Sequence, residues 1–142
     1  MKIKAISRGN VSELYNENND CTVRALSNAA DIDYSKAHHI LSKHGRKDRN
    51  GAYFTTMLKA YTEAGFKLNS VHGTTHSARH ASNESGVRAS RGITLAKILP
   101  YLDNGRYIVN TTGHAVAVVN SQIIDTYDNQ AGKRVIAVFK KL

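Results

Sequence analysis

Cysteine occurs once in the chain, at position 21. A lone thiol excludes an internal disulfide framework and every cysteine-rich zinc motif, and it suits a reducing compartment. Long apolar runs are missing as well. The longest span five residues, far short of the ~20 that a membrane helix needs. Met1 to Arg8 lacks the apolar stretch of a signal peptide, so the expectation is a cytoplasmic chain with no membrane partner. Proline also occurs once, at position 100, and internal repeats and low-complexity blocks are absent. Acidic residues are few: eleven Asp and Glu stand against twenty Lys and Arg, a net charge of +9. That excess favours contact with nucleic acid or acidic protein surfaces, although many small proteins are basic merely for solubility.

What is present suits a packed core. With 142 residues, 41% of them apolar and 22% charged, the chain matches one globular domain spanning residues 1–142. Hydrophobic periodicity separates an N-terminal helical half from a C-terminal strand half, which predicts an α+β fold. Residues 2–6 read as a short edge strand and residues 8–19 as a polar loop. Asp20 is placed to cap a helix that starts at Cys21 and runs through Val23, Ala25, Leu26, Ala29 and Ala30. Its apolar residues fall on too many sides for a surface helix, so it belongs at the centre. Asp33 caps a second helix carrying Ala37, Ile40, Leu41 and His44, with Gly45 as its stop. Phe54, Met57, Leu58 and Tyr61 predict a third, closed by Gly65.

Residues 69–92 differ, since only Val71, Val87 and small alanines interrupt Ser, Thr, Gly, His and Arg. They read as a structureless basic insertion or flap with little core. Leu95, Ile98, Leu99 and Leu102 restore helical spacing up to a break at Pro100. After a turn at Gly105, residues 107–112, 115–119, 123–126 and 135–139 predict an antiparallel meander, with Asn120 and Ser121 in one of its turns. The stretch 115–119 is apolar at every position, as expected of a central strand covered on both faces.

A thiol at the first position of a helix sits at the positive end of the helix dipole, which favours the nucleophilic thiolate; a lone cysteine is otherwise a small hydrophobe. A cysteine nucleophile needs a base, and His114 opens the most apolar strand directly after a Thr-Thr-Gly turn. Alternation groups His114 with Val116 and Val118, on the face expected to meet the central helix. Asp125, at the end of the next strand, can lie beside that ring and orient it, with Asp128 or Asn129 as fallback.

The segments Asn19-Asp20-Cys21-Thr-Val-Arg-Ala-Leu, Gly105-Arg-Tyr-Ile-Val, Gly113-His114-Ala-Val-Ala-Val-Val-Asn and Ile-Ile-Asp125-Thr-Tyr together resemble the papain-like cysteine peptidase superfamily. More narrowly, the chain is similar to small phage and bacterial proteins related to the bacteriocin-processing peptidases. The resemblance covers most of the chain outside residues 69–92. It implies a nucleophile-bearing helix packed on an antiparallel sheet, with Cys21 as nucleophile, His114 as base and acid, and Asp125 as orienter. Such enzymes commonly carry an oxyanion-binding glutamine a few residues before the cysteine. Here Tyr15 stands six back, and Asn16, Asn18 and Asn19 are the available amides. Asn19 is preferred and Asn16 next, with the Cys21 N–H as second donor; otherwise these asparagines form turns.

The expected activity is hydrolysis or acyl transfer at a peptide or isopeptide bond of a protein or peptide substrate, with no metal or organic cofactor. If phage-encoded, the protein would act in the host cytoplasm. One rival is a catalytically inactive peptidase-like protein that binds a host protein in counter-defence or host takeover. The other is a nucleic-acid-binding protein using Arg46, Lys47, Arg49, Arg79, Arg88 and Arg91. His72, His76 and His80 recur every four residues. On a helix they would align as metal ligands, but Gly73 and the lack of an apolar face favour a solvated loop. His38 and His39 are expected at solvent or helix edges, while Tyr53 and Tyr61 read as packing residues.

Overall fold

The computed structural model describes residues 3–4, 19–124 and 131–142. The fold is α+β, and its sheet is mostly antiparallel. In chain order the elements are β1 (Ile3–Lys4), α1 (Cys21–Ala30), α2 (Tyr34–Lys43), α3 (Phe54–Glu63), β2 (Phe66–His72), α4 (His76–Ser85) and β3 (Ala89–Ser90). There follow α5 (Leu95–Ile98), a 3-10 turn (Leu99–Tyr101), β4 (Arg106–Thr111), β5 (His114–Val119), β6 (Gln122–Ile124) and β7 (Val135–Lys141). The sheet order is β1-β6-β5-β4-β7-β2-β3, with parallel pairing only at the two edges, β1 with β6 and β2 with β3.

The helices begin and end where local chemistry dictates. Gly45 (φ +110) and Gly65 (φ +92) take the positive φ that follows α2 and α3, a conformation glycine adopts without a Cβ penalty. The short helix α5 passes into the 3-10 turn at Pro100, whose ring denies the chain a further α-helical hydrogen bond. Asn120 (φ 51) and Ser121 (φ 65) are both left-handed, the backbone of a type I′ turn joining β5 to β6.

Two apolar layers cover the sheet. On one face Ile108, Ala115, Ala117, Ile136 and Phe139 pack against α1 to α4 through Leu26, Leu41, Met57 and Tyr61. On the other, Tyr107, Val109, Val116, Val118, Ile123, Val135 and Val138 meet Leu95, Ile98, Leu99 and Leu102. Residues 115–119 are all buried, as expected for a strand covered on both faces.

Four expectations are corrected. The four C-terminal strands are not one meander: β7 crosses back to pair with β4 and leaves β6 beside β1. The face of Val116 and Val118 meets α5 and the 3-10 turn, whereas the central helix α1 packs over Ala115 and Ala117, whose small side chains admit a helix at close range. Residues 69–92 are not structureless; they complete β2 and form α4 and β3, and Val71, Ala78 and Ala81 are fully buried. The loop expected around His76 and His80 is the helix α4, started by the Thr75 hydroxyl, which accepts a hydrogen bond from the Ala78 N–H at 3.1 Å. Among the described residues no helix is long and apolar enough to cross a membrane.

Candidate active site

Cys21 is the first residue of α1 and is half-buried. Asp20 holds the N-cap position, but its side chain makes no capping hydrogen bond. Its buried carboxylate instead accepts from the Tyr34 hydroxyl at 2.7 Å and pairs with the Arg24 Nε at 3.0 Å. The residue before Cys21 is therefore held by an ion pair and a phenol. The first intrahelical bond runs from the Arg24 N–H to the Asp20 carbonyl at 2.9 Å, so the N–H groups of residues 21–23 precede the helix's own ladder.

Alternation groups His114 with Val116 and Val118 on the face away from α1, but as the first residue of β5 it borders the same clefts as Cys21. Thr111 pairs with His114 across a two-residue turn at Thr112 and Gly113, and Gly113 has a φ of +71. The His114 carbonyl accepts from the Thr111 hydroxyl at 3.3 Å, which ties the start of β5 to the end of β4. Cys21 and His114 line two clefts jointly, and Gly51 and Gly113 border both. The larger cleft, about 480 Å³, is walled by the buried side chains of Phe54, Met57 and Ile136, with Asn110, His76 and His80 also at its lining. Tyr53 is 81% exposed at this cleft, so it is no core residue. The smaller, about 210 Å³, adds Asn19, Asp20 and Arg24.

Asn19 thus lies at the smaller cleft, where its Nδ2 donates to the Arg49 carbonyl at 3.1 Å. Asp125, its fallbacks Asp128 and Asn129, and the alternative amides Asn16 and Asn18 lie outside the described residues. The last described residue of β6 is Ile124, opposite Ala117.

Residues without a sequence signal also build this site. Arg46, assigned above to an anion-binding surface, is 4% exposed, and its Nη2 donates to the Asn19 carbonyl at 3.2 Å. The turn at Gly45 directs it inward, where it clasps the segment preceding Cys21. Tyr61 is fully buried and donates its hydroxyl to the Thr22 carbonyl at 3.1 Å. Burial pushes the Tyr61 phenol well above its usual range; negative charge on Cys21 adds to this and the Arg46 guanidinium opposes it. Tyr61 therefore stays a hydrogen-bond donor beneath the first turn of α1.

His72 stands apart on β2, where its Nδ1 donates to the Arg91 carbonyl at 3.1 Å and its Nε2 meets the Ser70 hydroxyl at 2.8 Å. Among the described residues no group of three or more His, Cys, Asp or Glu is arranged to hold a metal ion. No family model, curated protein or solved structure matches this chain significantly.

Proposed function

We propose that this chain is a cysteine peptidase-like hydrolase of papain-like type, acting on a peptide or isopeptide bond. One observation carries the reading: Cys21, at the N-terminus of the central helix, and His114, at the mouth of the strand beneath that helix, line the same two clefts. The Cys21 sulfur attacks the carbonyl carbon as His114 takes the thiol proton. Collapse of the tetrahedral species breaks the C–N bond, and the imidazolium gives its proton to the leaving amine. Water activated by the same ring then hydrolyses the thioester; an incoming amine in its place gives acyl transfer. Asp125 is assigned the orienting role on sequence grounds. Gly51 and Gly113 let a substrate backbone pass close to the sulfur.

The test is the rate of Cys21 alkylation by a peptide chloromethyl ketone, followed by intact mass near neutral pH. The native chain is expected to react at least about a hundredfold faster than the urea-unfolded chain. Cys21→Ala abolishes labelling, His114→Ala slows it by about a hundredfold or more, and Asp125→Ala slows it less. A native thiol that reacts no faster than the unfolded one overturns the reading and leaves a peptidase-like binding protein. Retention on DNA that falls steeply with salt would then favour the nucleic-acid alternative.

A further inference from the structure

The larger cleft shares its Ile136 wall with a neighbouring cleft of about 380 Å³, whose lining includes His72, Gly73, Gly92 and Arg134. Arg134 precedes β7 in bridged backbone opposite Thr94. Val135 packs into the layer of α5, so alternation turns Arg134 to the side of Ile136 and the helices α1 to α4. Its carbonyl accepts from the Thr112 N–H at 3.1 Å, which sets it beside the turn that leads into His114. The guanidinium lies over Gly92, where a Cβ would meet the Arg134 Nη1 at 3.4 Å and the Gly73 Cα at 3.8 Å. The φ of Gly92 is not positive, so its missing side chain answers no backbone demand and leaves room for the cation. Arg134 is exposed, and it joins none of the ion pairs among the described residues. Among the described residues neither cleft is lined by an Asp or Glu.

We infer that Arg134 is a specificity-determining residue that binds an acidic side chain of the peptide substrate, across the Ile136 wall from the bond that Cys21 attacks. The inference rests on the thiol-attack reading above and names a substrate class for that site: a peptide with a glutamate or aspartate a few residues from the scissile bond. A planar guanidinium without a counter-ion in its own chain takes a carboxylate through paired N–H···O bonds. A peptide is the fitting source of that carboxylate, because the cation and Cys21 border clefts that adjoin at one residue, Ile136.

Peptides that carry a central fumaramide electrophile, with alanines on either side, test this. Glu, Gln or Lys replaces each flanking alanine in turn, and the rate of Cys21 adduct formation is followed by intact mass. At one position Glu is expected to react about three- to tenfold faster than Gln. Arg134→Gln brings the two rates together and Arg134→Glu turns the preference to Lys, whereas Lys97→Gln, which removes the same charge from α5, keeps the preference for Glu. No Glu preference at any position overturns the inference, as does one that survives Arg134→Gln. Protection of Cys21 by single-stranded DNA in place of a Glu preference, lost in Arg134→Gln, overturns it too and assigns the cation to a phosphate backbone. Failure of the thiol-attack reading is visible separately: every peptide of the set, the Gln members included, would then alkylate the native chain no faster than the urea-unfolded chain, and the inference falls with it.

Discussion

Replacing Asp20 by alanine separates two roles for the residue before Cys21. If Asp20 served only as a helix cap, the loss would be about 1 kcal/mol. The structure assigns it a heavier role, because the residue is 2% exposed and its carboxylate holds both the Tyr34 hydroxyl at 2.7 Å and the Arg24 Nε at 3.0 Å. The Arg24 side chain is itself only 12% exposed. Asp20→Ala removes the carboxylate that pairs with a largely buried guanidinium and accepts from a phenol, a loss of about 3–5 kcal/mol. At roughly 3 °C per kcal/mol for a domain of this size, the melting temperature should fall by about 10–15 °C. Urea unfolding followed by far-UV circular dichroism measures the loss, with an unchanged slope confirming that the unfolded state is unaltered. Asp33→Ala is the control. Asp33 also occupies an N-cap position without a side-chain capping bond, but it is exposed, so its loss should stay within about 0.5 kcal/mol. Equal losses of about 1 kcal/mol at the two positions would refute the buried-pair argument.

Tyr61→Phe keeps the ring against Phe66 and Phe139 but strips the Thr22 carbonyl of its donor. The expected loss is about 1–2 kcal/mol. Because the folded-state phenol titrates above its usual range, the gap between the two proteins should be constant below pH ~10 and close as pH rises above it, which urea midpoints at several pH values would show. Asp103 accepts from Lys140 at 2.9 Å, from the Tyr107 hydroxyl at 2.9 Å and from the Gly105 N–H at 2.8 Å, and these partners, Lys140 foremost, hold its carboxyl below the ordinary aspartate range. Its stabilisation is therefore present above pH ~4 and is lost as pH falls through the lowered folded value. Asp103→Asn should be less stable than the native chain at pH 7 and equal to it at the acid end, and a gap that widens toward acid would contradict the assigned bonds.

Much of the architecture is local and therefore written in the sequence. The start of α1 at Cys21, the glycines after α2 and α3, the break at Pro100, the I′ turn after β5 and the doubly covered apolar strand each depend on residues within one turn or one strand. Short-range sterics and periodicity decide such features. The strand β2 and the helix α4 lack that signal. β2 buries only Phe66 and Val71 fully, and α4 buries only Ala78 and Ala81, side chains too small to give a stretch marked apolar periodicity. Their fate was settled by the sheet: β2 lies against β7, and alanines let α4 approach β2 and β7 closely. The return of β7 to β4 and the choice of which face of β5 meets α1 are likewise unmarked, because alternation states that two faces exist and not which layer covers each.

The site divides in the same way. Cys21 at a helix start and His114 after a glycine turn were legible, since both depend on neighbours in the chain. The inward turn of Arg46, the clasp between Asn19 and the loop after α2, the phenols of Tyr34 and Tyr61 beneath α1, and a Thr22 hydroxyl without a partner among the described residues were not. A side chain becomes a buried charge or an orphaned donor only when elements far apart in sequence close around it, so tertiary packing alone decided what surrounds Cys21.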